Sequence, residues 1–240
     1  MSDEQKIGGH SITPFLEAAG GGGYVLSARE RATGTAIAVK TLRAFFVNNE
    51  EARAQFQREY NLLDSMNHPH IVPTREWGED AAAGFYYTMP LLRDGTLEEA
   101  RTTRSMAQLI NWWIEIVGAV MHAHGRGLHH RDIKPKNIVL HKHDPVLVDW
   151  GIGRAGTGDH TTTFGSEGWS PAEYRAGGQT GPFTDTYGLM GILGWFVTGE
   201  RPDVLRRNVS EHLGKTGYEF AALERALTKG LSEYTARYQT

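Results

Sequence analysis

The sequence predicts an α+β fold in two lobes. Strand-like runs and a single amphipathic helix occupy the residues up to 92, whereas helical patterns dominate the rest. The chain has 240 residues, of which 40% are hydrophobic, so it can bury a core of this kind. This order of elements predicts a cleft near residues 88–92.

Composition excludes several classes of site. The chain contains no cysteine, so it has no disulfide, thiolate metal site or cysteine nucleophile. No apolar run approaches the ~20 residues that cross a membrane, and the N-terminal letters MSDEQK lack a signal-peptide pattern. A net charge of −3 gives no footprint for nucleic acid or an anionic membrane. We therefore expect a cytoplasmic chain without membrane contact.

In the first lobe, the glycine run at residues 20–23 predicts a turn between two strands. A flexible linker has the same composition, but strand-like runs on both sides favour the hairpin. The letters TGTAIAVKTL then predict a strand with Lys40 among apolar residues.

A helix over residues 50–66 follows in the sequence. Its spacing places four apolar residues on one face, namely Phe56, Tyr60, Leu63 and Met66. Glu59 belongs to the same face, and a buried carboxylate requires a cationic or hydrogen-bonding partner.

The second lobe begins after a strand at residues 85–92 that runs into a connector. A helix over 105–124 is expected to place six residues at helical spacing: Leu109, Trp112, Ile116, Val117, Val120 and Met121. The letters NIVL and PVLV predict two short strands around a polar turn. Residues 186–198 are apolar nearly all round, which predicts a buried helix.

The most informative stretch is HHRDIKPKNIVL at residues 129–140, followed by VDWG at 148–151. Asp132, Lys134, Asn137 and Asp149 would form a compact polar group. Carboxylate and amide oxygens suit Mg²⁺, which usually keeps substrate phosphates in its coordination shell. The pattern therefore predicts phosphoryl transfer.

These motifs, in this order, resemble the eukaryotic-like serine/threonine protein kinases common in bacteria. The resemblance extends from about Phe15 to Arg237 and implies one catalytic domain over 1–240. It implies a small β-rich N-lobe at about 12–89, a hinge at about 90–93 and a mostly helical C-lobe at about 94–240. Because family members continue into one more helix, we expect the final C-terminal helix to be missing or shortened. The chain would be either the catalytic part of a longer or membrane-anchored protein or a natural minimal kinase.

The resemblance implies a nucleotide site in the N-lobe. The glycine-rich loop would be Ala18, Gly20, Gly23 and Val25, with alanine at the family's first glycine. Lys40 would contact the α and β phosphates of ATP, and Glu59 would pair with Lys40.

Adenine would be held at the hinge. Met89 would lie at the back of its pocket, and Pro90, Leu91 and Leu92 would form the hinge, with Leu92 offering both N–H and C=O. Three residues would cover the two faces of the base: Val25, Ala38 and Val139.

In the same way, Asp132 would orient the substrate hydroxyl and accept its proton, and Lys134 would neutralise the transferred group. Asn137 and Asp149 would hold Mg²⁺, or Mn²⁺ in its place. Trp150 replaces the family's phenylalanine and retains an aromatic ring.

The letters GSEGWSPAE at 165–173 resemble the family's substrate-binding loop. Ser166 stands for threonine, Trp169 for tyrosine, and Pro171 lies one position early. Glu173 would pair with Arg237, and Asp185 would brace the backbone of the His-Arg-Asp motif.

Thr161, Thr162 and Thr163 lie upstream of this loop, and Thr162 best matches the family's activating phosphosite. A phosphate there could pair with Arg131. A polar, solvated loop is the alternative interpretation of the three threonines.

The resemblance implies ATP-dependent phosphorylation of serine and threonine in proteins, including the kinase itself; dimerisation is left open. Two alternatives are a pseudokinase scaffold and a small-molecule phosphotransferase like aminoglycoside or choline kinases. The latter generally lack a lysine two residues after the catalytic aspartate and a Glu173-type segment, and both features are present here.

Overall fold

The computed structural model describes residues 5–20, 23–42, 49–150, 165–175, 181–216 and 221–232. The described residues form two compact units, the first ending at Arg93 and the second beginning at Asp94. Within the described ranges, no helix is long and apolar enough to cross a membrane.

The first unit is built on an antiparallel sheet of six strands in the order β1-β2-β3-β4-β6-β5. The strands are β1 (Lys6–Ile7), β2 (His10–Gly20), β3 (Gly23–Arg29), β4 (Ala36–Leu42), β5 (Trp77–Asp80) and β6 (Gly84–Pro90). Gly20 pairs with Gly23, which confirms the predicted hairpin. β1 has too few residues to produce an alternating pattern, and the sequence did not predict it.

Helix α1 (Glu50–Asp64) belongs to the same unit and confirms the predicted amphipathic helix. Asn49 caps its N-terminus by accepting a hydrogen bond from the Ala52 N–H. Phe56 and Tyr60 are buried, and their rings pack against Trp77 and Tyr87 of the sheet. This aromatic cluster attaches α1 to β5 and β6.

The second unit contains α2 (Leu97–Ala100), α3 (Met106–His124), α4 (Ala172–Arg175), α5 (Pro182–Thr198), α6 (Pro202–Leu205), α7 (Val209–Gly214) and α8 (Ala221–Leu231). Strands β7 (Ile138–His141) and β8 (Asp144–Leu147) form the predicted second hairpin. The apolar cluster that joins α5 to α8 consists of Tyr187, Leu205, Val209, Leu213, Leu227 and Leu231.

Two expectations for the helices need correction. Met121 does not face the core: it is 69% exposed, because one residue beyond buried Val120 a helix has turned by about 100°. Val117 is only half-buried. Helix α5 begins at Pro182 rather than 186, because the polar residues Thr184 and Asp185 in its first turn interrupt the apolar pattern although both are buried.

Candidate active site

The candidate active site is the loop between α3 and β7. Asp132 is 2% exposed, and its Oδ2 accepts a hydrogen bond of 2.8 Å from the Lys134 ammonium. The same ammonium donates to the Ser166 hydroxyl. A short 3₁₀ turn, Pro135–Asn137, brings Asn137 back to Asp132. The loop thus brings a carboxylate, an ammonium and an amide from six consecutive residues together with the hydroxyl of the distant Ser166.

Asn137 is oriented by its amide nitrogen, which donates to the Asp132 carbonyl at 2.8 Å and to Asp132 Oδ2 at 3.2 Å. Its amide oxygen is therefore the atom that remains for a cation. The Val148 N–H donates to the Asn137 carbonyl, which links this loop to the segment carrying Asp149. The oxygens of Asn137 and Asp149 belong to the hard ligand class that Mg²⁺ and Mn²⁺ prefer, so these residues fit a divalent cation.

Asp185 of α5 holds the backbone of the catalytic loop by hydrogen bonds. It is fully buried, and it accepts hydrogen bonds from the backbone N–H of His130 at 2.9 Å and of Arg131 at 2.6 Å. His124, at the end of α3, donates from Nε2 to the same carboxylate at 2.7 Å. Arg131 has φ of 68°, a left-handed conformation that costs on the order of 1–3 kcal/mol in a non-glycine residue. The hydrogen bonds to Asp185 hold the backbone in this conformation.

Sequence reasoning missed His124. The signal that could have found it is Asp185 itself, since a carboxylate in an apolar helix needs several donors. Two come from the loop backbone, and the third comes from the side chain of His124.

His130 and Trp150 form the buried core of the site. Their ring centroids lie 4.9 Å apart, and the Trp150 indole N–H donates to the Leu147 carbonyl. His130 donates from Nε2 to the Val148 carbonyl at 2.9 Å and accepts at Nδ1 from the Asp132 N–H at 3.3 Å. Burial lowers the pKa of His130, which favours the neutral ring that this pattern requires. Asp149, just before Trp150, also has a left-handed backbone, with φ of 56°.

The segment over residues 165–175 folds around two serines. Ser170 Oγ accepts from the Ser166 N–H at 2.9 Å, and the Ser170 N–H donates to the Ser166 carbonyl at 3.0 Å. Trp169 packs edge-on against Trp195 of α5. Pro171 directly precedes α4, which carries the half-buried Glu173. The predicted partner of Glu173, Arg237, lies outside the described residues, as do Thr161, Thr162 and Thr163.

The predicted nucleotide residues of the first unit lie on neighbouring strands. Lys40 is 2% exposed in β4, where its backbone is in register with Val25 of β3 and Tyr87 of β6. The buried residues Ala38 and Met89 are paired in the same way. These strand pairings bring together residues that are far apart in the sequence.

The remaining predicted positions are distributed over both units. Ala18 pairs with Val25 in the β2–β3 hairpin, and Glu59 lies in α1. Pro90 ends β6, and the half-buried Leu91 and Leu92 follow it. Val139 belongs to the second unit, where it lies in β7.

Comparison with known proteins gives matches along nearly the whole chain. The sequence pattern of the protein kinase domain matches residues 18–222. The serine/threonine-protein kinase PknD of Mycobacterium tuberculosis is 29% identical over 261 residues, which cover 98% of this chain and 39% of that protein. PrkC of Bacillus subtilis, also a serine/threonine-protein kinase, is 32% identical over 198 residues, covering 78% of this chain and 30% of that protein. The chain thus spans well under half the length of these curated relatives.

A solved structure agrees with the two-lobed fold. The kinase domain of Mycobacterium tuberculosis PknI, crystallised as a single-site mutant, superposes with a TM-score of 0.73 at 23% identity. The superposition covers 100% of this chain and 94% of that one.

Proposed function

Because the chain belongs to the protein kinase family and is similar to its bacterial serine/threonine members, we propose that it transfers the γ-phosphoryl group of ATP to serine and threonine hydroxyls of proteins. The observation that carries the proposal is the group formed by Asp132, Lys134, Asn137 and Ser166. Phosphoryl transfer requires mainly positioning and charge stabilisation from a protein, and these residues supply both.

Asp132 accepts the proton of the acceptor hydroxyl. As the hydroxyl oxygen bonds to the γ-phosphorus, the bond from that phosphorus to the β-phosphate oxygen breaks, and ADP leaves with the electron pair. Lys134 and Asn137 hold the Asp132 carboxylate in one orientation. Lys134 also carries the positive charge that offsets the negative charge of the transferred group.

Asn137 and Asp149 would hold a divalent cation, Mg²⁺ or Mn²⁺, which when bound supplies positive charge to the phosphate oxygens. The orientation of the Asn137 amide supports its part in this assignment.

Lys40 would contact the α and β phosphates of ATP, and Glu59 would pair with it. The burial of Lys40 within a strand supports this role, because a buried ammonium requires anionic partners. The backbone of Ala18, Gly20 and Gly23 would contact the phosphates. Val25, Ala38, Val139, Met89, Pro90 and Leu92 would contact adenine.

An assay of phosphate incorporation from labelled ATP with Mg²⁺ tests the proposal. Phosphoamino-acid analysis of an acceptor protein and of the chain itself then identifies the residues that carry the phosphate. Asp132→Asn should lower the rate by about 10²–10⁴-fold, the usual contribution of a general base. The matched control is Asp64→Asn, because Asp64 is an exposed residue of α1 whose carboxylate accepts hydrogen bonds from Thr74 and Tyr60 of the first unit. Transfer by Asp132→Asn at the wild-type rate would exclude Asp132 as the base. A wild-type chain that binds ATP without transferring phosphate would instead be a pseudokinase.

Self-phosphorylation at Thr161, Thr162 or Thr163 is part of the proposal. It rests on the position of these residues between Asp149 and Ser166, where the family carries its activating phosphosite. Phosphopeptide mapping of active enzyme should find phosphate in this cluster, and the triple alanine variant should lose it. An active enzyme unmodified at all three threonines would remove this part of the proposal.

A further inference from the structure

The outer face of α3 is apolar and uncovered. Three large hydrophobic side chains of this helix are exposed: Met106 by 44%, Ile114 by 56% and Met121 by 69%. Tyr24, at 40%, is the only other large hydrophobic residue exposed to this degree in the part of the chain that the structure describes. Single exposed apolar residues are ordinary, but their concentration on one helix indicates an interaction surface.

Helical spacing aligns these side chains. Met106, Ile110, Ile114, Val117 and Met121 follow one another at intervals of four, four, three and four residues. They therefore lie within about 80° of one another around the helix axis. We call these five residues the α3 stripe. The opposite face of the helix is the buried one, with Leu109, Trp112, Ile116, Ala119, Val120 and Ala123.

The stripe is complementary to itself. We consider two copies of α3 packed antiparallel about a two-fold axis midway between Val117 and Gly118. Three pairs then face each other, each with one residue from either copy: Ile114 with Met121, Val117 with Gly118, and Ile110 with Gly125. Each large side chain meets either a glycine or a flexible thioether, which allows two helix surfaces to interdigitate. Nothing lies within 4 Å of a Cβ on Gly118, so the space at the axis is open.

The polar edge of the stripe fits the same arrangement. Such an axis places each edge of the stripe next to the same edge of the second copy. Gln108 and Arg126 are exposed on one edge, where Arg126 donates to Nδ1 of His122 at 3.3 Å. Arg126 of one copy then lies about 1.5 Å along the helix axis from Gln108 of the other. The amide oxygen of glutamine accepts hydrogen bonds from a guanidinium.

We propose that the chain forms a two-fold symmetric dimer through the α3 stripe, with the two helices antiparallel and Gly118 beside the axis. The stripe is about 22 Å long, because an α-helix rises 1.5 Å per residue. Two helices in contact over this length bury less than the ~1,200 Å² at which standard interfaces begin. The dimer is therefore weak, and its population depends on protein concentration.

Sedimentation velocity of the full chain between about 5 and 300 µM tests the proposal. The average mass should rise with concentration from the 26.6 kDa of a monomer toward twice that value. Ile114→Glu and Met121→Lys should each weaken the dimer about tenfold or more, because a charge is placed against an apolar surface. Tyr24→Glu changes the exposed tyrosine of the first unit and should leave the dimer unchanged. Thermal unfolding verifies that each variant folds.

Paired charges test the register of the two helices. In the double variant Ile114→Glu/Met121→Lys, each glutamate faces a lysine of the other copy, so the dimer should be about threefold tighter than in either single variant. The matched control, Ile114→Glu/Met121→Glu, places like charges opposite each other and should be monomeric.

The absence of native cysteine permits a second test of the register. Ile114→Cys and Met121→Cys are prepared separately and then mixed under a mild oxidant. The mixture should form a disulfide between the two variants, because residue 114 of one copy faces residue 121 of the other. Either variant alone should form little disulfide, since its two cysteines lie about 10 Å apart along the axis.

Three outcomes would overturn the proposal. The first is a wild-type chain that remains monomeric over the whole concentration range, which would leave the stripe to a different protein. The second is a dimer that Ile114→Glu does not weaken. The third is a disulfide that forms as readily in either cysteine variant alone as in the mixture. None of these measurements requires phosphoryl transfer, so the result does not depend on the proposed activity.

Discussion

The indole ring of Trp150 packs against the imidazole of His130 with their centroids 4.9 Å apart, and both side chains are almost completely buried. His130 directly precedes the Arg131-Asp132 pair of the catalytic loop, and Trp150 directly follows Asp149. This contact therefore joins the two segments that carry the proposed base and a proposed metal ligand. Aromatic pairs of this kind contribute about 0.5–1.5 kcal/mol beyond the burial of their area.

Replacing Trp150 tests the strength of this connection. Trp150→Ala should lower the free energy of unfolding by about 3–5 kcal/mol, because it leaves a large cavity. Trp150→Phe, which restores the residue typical of the family, should cost less than about 2 kcal/mol, since a ring remains against His130. Urea unfolding measures both changes. An alanine variant as stable as the phenylalanine variant would show that the ring contact carries little of the stability.

The buried His130 predicts a loss of stability in acid. Its pKa in the folded protein is lowered by burial, whereas the unfolded chain has the ordinary value near 6.5. The unfolded state therefore binds more protons, and stability is lost as pH falls below about 6.5 toward the folded pKa, by at most about 1.4 kcal/mol per pH unit for one proton.

Urea unfolding between pH 7.5 and 5.5 measures this slope. His130→Phe should reduce it, and His129→Gln should reduce it too, because burial also lowers the pKa of His129. A slope that is unchanged in His130→Phe would assign the acid sensitivity to other groups.

Asp185 is predicted to act by positioning the loop and not by touching substrate. In the wild-type protein each oxygen of the Asp185 carboxylate accepts a hydrogen bond from a backbone N–H. In Asp185→Asn, an N–H₂ group replaces one of these oxygens and faces a backbone N–H, so two donors meet and the loop should shift. A displacement of about 1 Å can cost about 10²-fold in rate, so kcat should fall by roughly 10- to 100-fold while the KM for ATP changes little. Steady-state kinetics of Asp185→Asn measure kcat and the KM for ATP separately. A large rise in KM with constant kcat would contradict the positioning role.

Two helical glycines should respond to alanine with opposite signs. A Cβ on Gly188 of α5 would lie 2.6 Å from the Ile133 carbonyl oxygen, inside the catalytic loop, whereas nothing lies within 4 Å of a Cβ on Gly118 of α3. Gly188→Ala should therefore destabilise by about 1–3 kcal/mol and lower activity. Gly118→Ala should stabilise by about 0.5–1 kcal/mol, because alanine is the better helix former. Thermal unfolding measures the Tm of both variants. A Tm that changes in the same direction in Gly188→Ala and Gly118→Ala would refute the prediction.

The hydroxyl group of Ser166 is predicted to contribute to the rate of phosphoryl transfer. It accepts a hydrogen bond from Lys134, and such bonds to charged groups are worth about 1.5–3 kcal/mol. Ser166→Ala should consequently lower kcat by tenfold or more, whereas Ser166→Thr keeps the hydroxyl and should remain active. Equal rates for the two variants would show that Lys134 does not depend on this contact.

The sequence alone was sufficient for the parts of the protein whose signals are local. The catalytic stretch is contiguous from His129 to Leu140, so its residue types and spacing could be interpreted without coordinates. Helix α1 and strand β4 follow apolar periodicities over a few turns or pleats, and the structure confirms both.

Tertiary structure decided what depends on the packing of distant elements. The hydrogen bond from His124 to Asp185 exists because α3 and α5 lie side by side, and a periodic pattern in either helix does not encode that contact. Met121 lies about 100° around α3 from buried Val120, and only the neighbouring helices determine how far around a helix its surface is covered.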